Sequence, residues 1–159
     1  MGGACLHTVG RKAAGNSPRA TRSEGTKVER LRGPKVFEAV RTGGKVFDGL
    51  VLRFFYDLHL GEKTSIGFGI VMGKRHGSAV VRNRLKRRIR AACREVLGCR
   101  VKMPDRLALS VVVVFKGSRG LPASRLSYAE ILNDMANLGH AIQTSAAEIN
   151  GTRADLSGP

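Results

Sequence analysis

Hydrophobic and polar residues follow two periods along the middle of the chain, one typical of helices and one typical of strands. A helical period that begins at Pro34 and stops at the Gly43-Gly44 pair predicts a short helix in PKVFEAVRTGG. Runs of β-branched and aromatic residues on both sides of Asp48-Gly49 predict a short strand, a tight turn and a longer strand. TSIGFGIVM predicts a third strand, in which the two glycines indicate close approach by another element.

The later part of the pattern predicts two more helices and one more strand. Residues 78–97 form the longest predicted helix, with Ser78 as its N-cap and Gly98 at its end. The apolar run in DRLALSVVVVFKG predicts a buried strand. A capping-box spacing between Ser127 and Glu130 then precedes a last helical period. The order α-β-β-β-α-β-α predicts one α+β domain, in which helices cover one face of a four-stranded sheet.

The two ends of the chain lack this periodicity. Residues 1–30 are rich in Gly, Ser, Thr, Ala and basic residues, which predicts a disordered basic arm. The folded domain is predicted over 31–140, and 141–159 is a tail whose start extends the last helix. The three cysteines have neither disulfide nor zinc spacing, and the chain contains neither a membrane-spanning apolar run nor a secretory signal. We therefore expect a cytoplasmic protein with free thiols and no membrane partner.

Net charge indicates the class of partner. The 159 residues include 28 Lys and Arg against 12 Asp and Glu, which gives a formal net charge of +16. Such a field attracts polyanions, with nucleic acid as the first candidate and an anionic membrane surface as the next.

The predicted helix over 78–97 combines a packing stripe with a basic surface. Its core-facing side chains, spaced at helical period, are Val81, Leu85, Ile89, Ala92 and Val96. Basic residues occupy the rest of the helix, and like charges stand four residues apart, as in Arg82/Lys86 and Arg90/Arg94. Because such pairs destabilise a helix, solvated faces normally mix both signs. The pattern therefore favours contact with a nucleic acid over a bland solvated face.

The loop before this helix, GKRHGS, extends the basic surface to a helix N-terminus, where free N–H groups also attract phosphate. Its His76 has no partner at metal-ligand spacing and is interpreted as a residue near RNA. The preceding strand and glycine-rich loop do not fit a helix-turn-helix reader, so structured RNA is favoured. Four aromatic residues are candidates for stacking on unpaired bases, with core packing expected for at least half of them: Phe37, Phe54, Phe55 and Tyr56.

Catalytic patterns are missing from the sequence. A metal-dependent nuclease needs several carboxylates at one site, whereas the acids of the folded part stand singly. No Ser-His-Asp or Cys-His arrangement stands out. We therefore predict neither a catalytic residue nor a metal site in the protein.

The segment KRHGSAVVRNRLKRRIRAA resembles the RNR signature of the bacterial ribonuclease P protein component family, with Arg82-Asn83-Arg84 as the triplet. A weaker similarity extends over roughly 31–140. The resemblance implies a small α+β fold like the second domain of ribosomal protein S5, with a left-handed βαβ crossover.

The resemblance also implies a function. Members of this family bind a large catalytic RNA and help it to remove the 5′ leader of precursor tRNA, while the RNA and its bound Mg²⁺ perform the hydrolysis. The protein would then be the subunit of a ribonucleoprotein endoribonuclease, without a small-molecule cofactor. Positions matching the family's RNA-binding loop and helix are Lys74, Arg75, Arg82, Asn83, Arg84, Lys86, Arg87 and Arg90. Positions matching its leader cleft are Phe37, Arg75, Arg82 and Asn83.

Three positions depart from the family pattern. Ser78 stands where an Asn usually follows the loop glycine, and Arg41 and Arg53 stand where aromatic residues are common. These departures imply a leader cleft that is more cationic and stacks less. Two alternatives remain beside the main hypothesis: a non-catalytic RNA-binding or ribosome-associated protein, and an autonomous nuclease.

Overall fold

The structure is a computed structural model that describes residues 25–117 and 122–155. Its centre is a mixed five-stranded sheet with the order β1-β4-β5-β3-β2. The strands are β1 (Val28–Arg30), β2 (Lys45–Asp48), β3 (Leu52–Leu60), β4 (Ser65–Val71) and β5 (Leu107–Phe115). β4 pairs in parallel with both β1 and β5, whereas β3 pairs antiparallel with β5 and β2.

Three α-helices surround the sheet: α1 (Pro34–Gly43), α2 (Ala79–Cys93) and α3 (Tyr128–Asp155). Short 3-10 turns precede α2 (Lys74–His76) and α3 (Ala123–Arg125). Because α2 connects the adjacent parallel strands β4 and β5, the predicted βαβ crossover is present. A small α+β domain is confirmed.

The sheet has five strands, so the prediction of four was wrong. The additional strand, β1, lies at the end of the range predicted as an arm. Its three residues carry no recognisable period, and its pairing with β4 joins Val28 to Ile66, a partner far along the chain. Non-local pairing of this kind cannot be read from a local pattern.

The longest helix of the described residues is α3, with 28 residues, and not the predicted helix over 78–97. It continues into the range predicted as a tail because Ser145 and Ala146 are buried. The Tyr56 hydroxyl lies 3.3 Å from Ser145 Oγ. The chain after α2 also stays helical, as a π-helix over Arg94–Arg100, so Gly98 does not end it.

Helices lie on both faces of the sheet, which corrects the prediction of one covered face. α2 and α3 pack on the face that carries Phe54, Phe68 and Val111, and they enclose the main core with it. Side chains alternate along a strand, so Phe55 and Val112 point to the opposite face. α1 packs on that second face, against β3 and β5.

Several local predictions are confirmed. Ser78 caps α2 by accepting the Val81 N–H, and Ser127 and Glu130 form the capping box before α3. The close approach inferred at the glycines of β4 is also present. A Cβ on Gly69 would lie 2.5 Å from the Phe37 ring, so only glycine leaves room for α1 at this point.

Asp134 on α3 fixes the turn between β2 and β3. Its carboxylate is fully buried and accepts the main-chain N–H groups of Leu50, Val51 and Leu52 at 2.9, 2.9 and 3.0 Å. Gly49 is required beside it, because a Cβ there would lie 2.5 Å from the carboxylate. This contact ties α3 to the far edge of the sheet.

Candidate nucleic-acid interface

Helix α2 presents one apolar side to the core, as its pattern predicted. Leu85, Ile89 and Ala92 are buried, and Val96 is buried in the π-helix that follows. Val81 at the first turn is half-buried. The apolar stripe therefore orients the helix, and the basic residues occupy its outer surface.

The basic side chains of α2 and its preceding loop form no ion pair with another described residue. Within residues 25–117 and 122–155, every ion pair lies elsewhere, for example Lys45 with Glu148 and Arg53 with Asp48. We name the exposed or half-buried basic residues that have neither an ion pair nor a hydrogen bond to the main chain the α2 basic surface: Lys74, Arg75, Arg82, Arg84, Lys86, Arg87, Arg90 and Arg94. Unneutralised charge at this density favours a polyanionic partner.

Arg88 is a basic residue of α2 with a structural contact. Its guanidinium donates a hydrogen bond of 2.7 Å to the Leu126 carbonyl, just before α3. Half-buried Arg82 differs again, since its Nε is buried and has no hydrogen-bond partner among the described residues. Asn83 beside it is exposed.

The loop before α2 is ordered by contacts of His76. The imidazole packs edge-on against Phe115, with ring centroids 4.9 Å apart, and its Nε2 accepts a hydrogen bond of 3.2 Å from Arg75 Nε. Burial, and secondarily the charge of Arg75, lower the pKa of His76. A neutral imidazole can accept this bond, so His76 positions Arg75. Gly77 follows with a φ of +114°, a conformation that favours glycine.

One groove joins the α2 basic surface to α1. It opens at the edge of β4, and its lining includes Phe37 from α1 together with Lys86 and Arg90 from α2. Two of the predicted surfaces therefore meet in a single groove. Arg75, Arg82 and Asn83, which were predicted to face the cleft with Phe37, are not among its lining residues.

Two basic residues of this groove, Arg30 and Arg94, were not among the predicted site residues. The like-charge pair Arg90/Arg94 had already placed Arg94 on the basic surface of the predicted helix. Arg30 lies in the range predicted as an arm, and it reaches the groove because β1 adds to the sheet beside β4.

The four candidate aromatic residues divide between the faces of the sheet. Phe54 and Tyr56 are buried in the main core, whereas Phe37 and Phe55 are half-buried on the α1 side. The guanidinium carbon of Arg41 lies over the Phe55 ring, 6.0 Å from its centroid. Phe37 and Phe55 are therefore the candidates that remain for contacts with bases.

Arg53, one of the three departures from the family pattern, is neutralised. Its Nε donates to the Asp48 carboxylate at 2.7 Å, and Lys116 donates to the same oxygen at 3.1 Å. Hydrogen bonds from Arg53 and Lys116 lower the pKa of Asp48. Arg41, by contrast, has no ion pair among the described residues.

Comparison with known proteins assigns the family. A family model described as Ribonuclease P matches residues 26–143. The chain belongs to the ribonuclease P protein family. It is 37% identical over 71 residues to the ribonuclease P protein component of Chloroflexus aggregans, a match covering 45% of this chain and 51% of that protein. The match thus spans about half the length of this curated relative.

Solved ribonuclease P proteins share the fold. The RNase P protein of Thermotoga maritima, in complex with 1-(4-fluorophenyl)-2-thiourea, has a TM-score of 0.51 at 23% identity, covering 69% of this chain and 95% of its own. A mutant RNase P protein of Staphylococcus aureus has a TM-score of 0.50 at 20% identity, covering 73% of this chain and 86% of its own.

Membership of the ribonuclease P family raises the question of Mg²⁺. Among the residues described, no three His, Cys, Asp or Glu side chains come together as ligands of a metal ion. The carboxylates of Asp134, Asp48 and Glu130 instead accept protein hydrogen bonds. This part of the protein uses these carboxylates for contacts that stabilise the fold. Its helices include none long and apolar enough to span a membrane.

Proposed function

We propose that this chain is the protein component of ribonuclease P, acting in the cytoplasm. It binds the catalytic RNA through the α2 basic surface and the 5′ leader of precursor tRNA beside α1, and it assists endonucleolytic removal of that leader. In this proposal the hydrolysis, with its Mg²⁺, belongs to the RNA. The protein binds and orients the two RNA chains and provides no catalytic group.

The groove between α1 and α2 is the observation that carries this proposal. A half-buried aromatic ring, Phe37, shares it with unpaired cations at Lys86 and Arg90. Cations bind the phosphates of any RNA, whereas a ring stacks on an unpaired base. A groove with both groups suits a single strand that passes beside a structured RNA, as a leader does.

In this proposal the bound RNA also stabilises α2, because it offsets the repulsion between the like charges of the helix. Like charges at a spacing of four residues destabilise an isolated helix by a few tenths of a kcal/mol per pair. Opposite charges at this spacing stabilise a helix by about the same amount. A polyanion bound along α2 removes this repulsion. The hydrogen bond from Arg75 to His76 holds one cation of the surface in place beforehand, which reduces the entropy lost on binding.

Reconstitution tests the proposal. The protein is added to its cognate ribonuclease P RNA at low Mg²⁺, and leader removal from precursor tRNA is measured. We expect clear stimulation with RNA and protein together, and no cleavage with protein alone. No stimulation would reject the proposal in favour of another RNA-binding or ribosome-associated role. Cleavage by the protein alone would indicate an autonomous nuclease.

Variants that remove single charges test which residues bind the RNA. Arg90→Ala should weaken binding to the RNA and reduce the slope of log K against log salt by about one. Lys63→Ala removes one charge from the exposed turn between β3 and β4 and serves as the matched control. Equal slopes for the two variants would remove Arg90 from the phosphate-binding surface.

A further inference from the structure

Main-chain hydrogen bonds close the 3-10 turn Lys74–His76 that precedes α2. The His76 N–H donates to the Gly73 carbonyl, and the Gly77 N–H donates to the Lys74 carbonyl, both at 3.3 Å. The capped first turn of α2 follows directly. The main chain from which the side chains of this turn project is therefore fixed on both sides.

The sheet holds the ring of His76. The imidazole is half-buried and packs edge-on against Phe115, with ring centroids 4.9 Å apart. Aromatic pairs favour this arrangement. Phe115 ends β5 and is only 1% exposed, so its own position is set by the core. The imidazole thus has a defined place at the end of β5.

Arg75 is the cation that this ring orients. Its side chain is exposed, and its Nε donates a hydrogen bond of 3.2 Å to His76 Nε2. Within residues 25–117 and 122–155 it forms no ion pair, so its hydrogen-bond partner is an uncharged group. A neutral partner orients the guanidinium but leaves its positive charge available to a phosphate, which a carboxylate partner would not do.

This arrangement requires a neutral imidazole. The hydrogen bond from Arg75 needs a lone pair on His76 Nε2, whereas an imidazolium carries a proton on both ring nitrogens and accepts no hydrogen bond. Protonation would also place two positive charges side by side. It would therefore break the bond and repel the guanidinium.

The surroundings of the ring favour its neutral form. Burial, and after it the charge of Arg75, lowers the pKa of His76 below its ordinary value. On β5 the ring meets the uncharged Phe115, and the ammonium of the next residue, Lys116, donates to Asp48 instead. The first turn of α2 contains no titratable group. Because the pKa is lowered, the ring is neutral at neutral pH and gains a proton as the pH falls through that lowered pKa.

We propose that His76 is a positioning residue whose protonation state controls Arg75: the neutral ring holds the guanidinium on the α2 basic surface for an RNA phosphate, and the imidazolium releases it. The effect on RNA binding rests on the proposed function, whereas the contact between the two side chains is a property of the free protein. Fixing one flexible side chain before binding should raise the affinity for RNA by roughly twofold to tenfold.

Nuclear magnetic resonance of the free protein tests the contact. Spectra of ¹H and ¹⁵N follow the Arg75 Nε–H and the ring nitrogens of His76 during an acid titration. We expect the Arg75 resonance, assigned by its loss in Arg75→Ala, to change with the same midpoint as the His76 ring. His76→Phe keeps a ring beside Phe115 and should lack the hydrogen-bonded resonance at every pH. His76→Gln offers an amide oxygen that accepts the bond but does not titrate, so it should keep this resonance in acid.

The affinity for the cognate ribonuclease P RNA measures the consequence. At neutral pH, His76→Phe should weaken binding by roughly twofold to tenfold, and in an Arg75→Ala background it should change nothing. Below the midpoint of the His76 titration, the loss caused by Arg75→Ala should shrink in the wild-type background and stay unchanged in the His76→Gln background. His140→Phe is the matched control, because it makes the same change at an exposed histidine of α3 and should leave the affinity unchanged.

The outcomes separate this contact from the proposed function. An Arg75 resonance that does not follow the His76 titration, or that survives in His76→Phe, overturns the contact whatever the RNA does. If the contact is present but His76→Phe causes no loss of affinity, or the same loss with and without Arg75, the role in RNA binding is overturned, because the effect does not pass through Arg75. Wild-type protein that does not bind the RNA overturns the proposed function, and with it the role of this contact in RNA binding.

Discussion

Replacing Asp134 with alanine should destabilise the whole domain, although Asp134 lies far from the basic surface. The carboxylate is fully buried and accepts three N–H groups from residues 82 to 84 positions earlier in the chain. It therefore connects α3 to the turn between β2 and β3. Loss of the carboxylate leaves these three donors without their acceptor.

The magnitude follows from the burial of each donor. The N–H groups of Val51 and Leu52 are buried, so each left unsatisfied costs about 1–3 kcal/mol. The Leu50 N–H is only partly buried and can bond to water after the substitution. With the lost packing of the side chain, Asp134→Ala should lower the free energy of unfolding by about 3–5 kcal/mol. Asp134→Asn keeps one acceptor oxygen and should cost roughly half as much.

Urea denaturation followed by circular dichroism measures this difference. Asn137→Ala is the matched control, because Asn137 is exposed on the same helix and its loss should change the unfolding free energy by less than about 0.5 kcal/mol. A decrease of less than about 1 kcal/mol for Asp134→Ala would refute the reasoning, since it would mean that water replaces the carboxylate at all three donors.

Four other substitutions test separate contacts. Gly69→Ala should destabilise the domain by about 1–3 kcal/mol in urea, because its Cβ meets the Phe37 ring; unchanged stability would show that α1 shifts freely. Arg87→Ala should reduce the salt slope of RNA binding by about one. Arg88→Ala should leave this slope unchanged and lower the stability of the fold, because Arg88 is hydrogen-bonded to the Leu126 carbonyl. A reversed result would contradict the assignment of Arg87 to RNA binding and of Arg88 to the fold. Hydrogen bonds of the capping box lower the pKa of Glu130, so Glu130→Gln should destabilise the protein at neutral pH. The difference in unfolding free energy from wild type should vanish as the pH falls through that lowered pKa. A difference in unfolding free energy that does not depend on pH would exclude this cause.

Local chemistry made much of the fold predictable. The caps at Ser78 and Ser127 depend on residues three positions away. The close approach at Gly69 was also readable, because a glycine weakens the interior of a strand and is typical of places where another element comes near the backbone. Each of these features is specified within a few residues of sequence.

Features that depend on distant partners were not predictable in this way. β1 is three residues long and forms by pairing with β4, which a local pattern does not reveal. Asp134 resembled a solvated acid on a helix, since its three partners lie more than 80 residues earlier. In the same way, alternation placed Phe54 and Phe55 on opposite faces, but only the position of α3 decides which ring enters the core.

The candidate site was more predictable than the sheet because charge is a local property of the sequence. The α2 basic surface needed only a helical period and a count of unbalanced cations. The sequence did not reveal which residues lie next to this surface in the fold. Arg30 and Phe37 reach the groove through β1 and α1, and three strands of the sheet separate these two elements from α2 in the chain.

The distribution of acids explains how the protein keeps this surface charged. Glu95, the acid that directly follows α2, is already engaged by Arg100 and by the Tyr128 hydroxyl, so it does not neutralise the cations before it. Asp48 pairs with Arg53 and Lys116 at the opposite edge of the sheet. These acids stabilise the fold through their own contacts. A substitution that breaks one of these contacts changes stability, but it does not bring a negative charge to α2. The cations of α2 therefore stay available, and a bound polyanion is the partner that can neutralise them together.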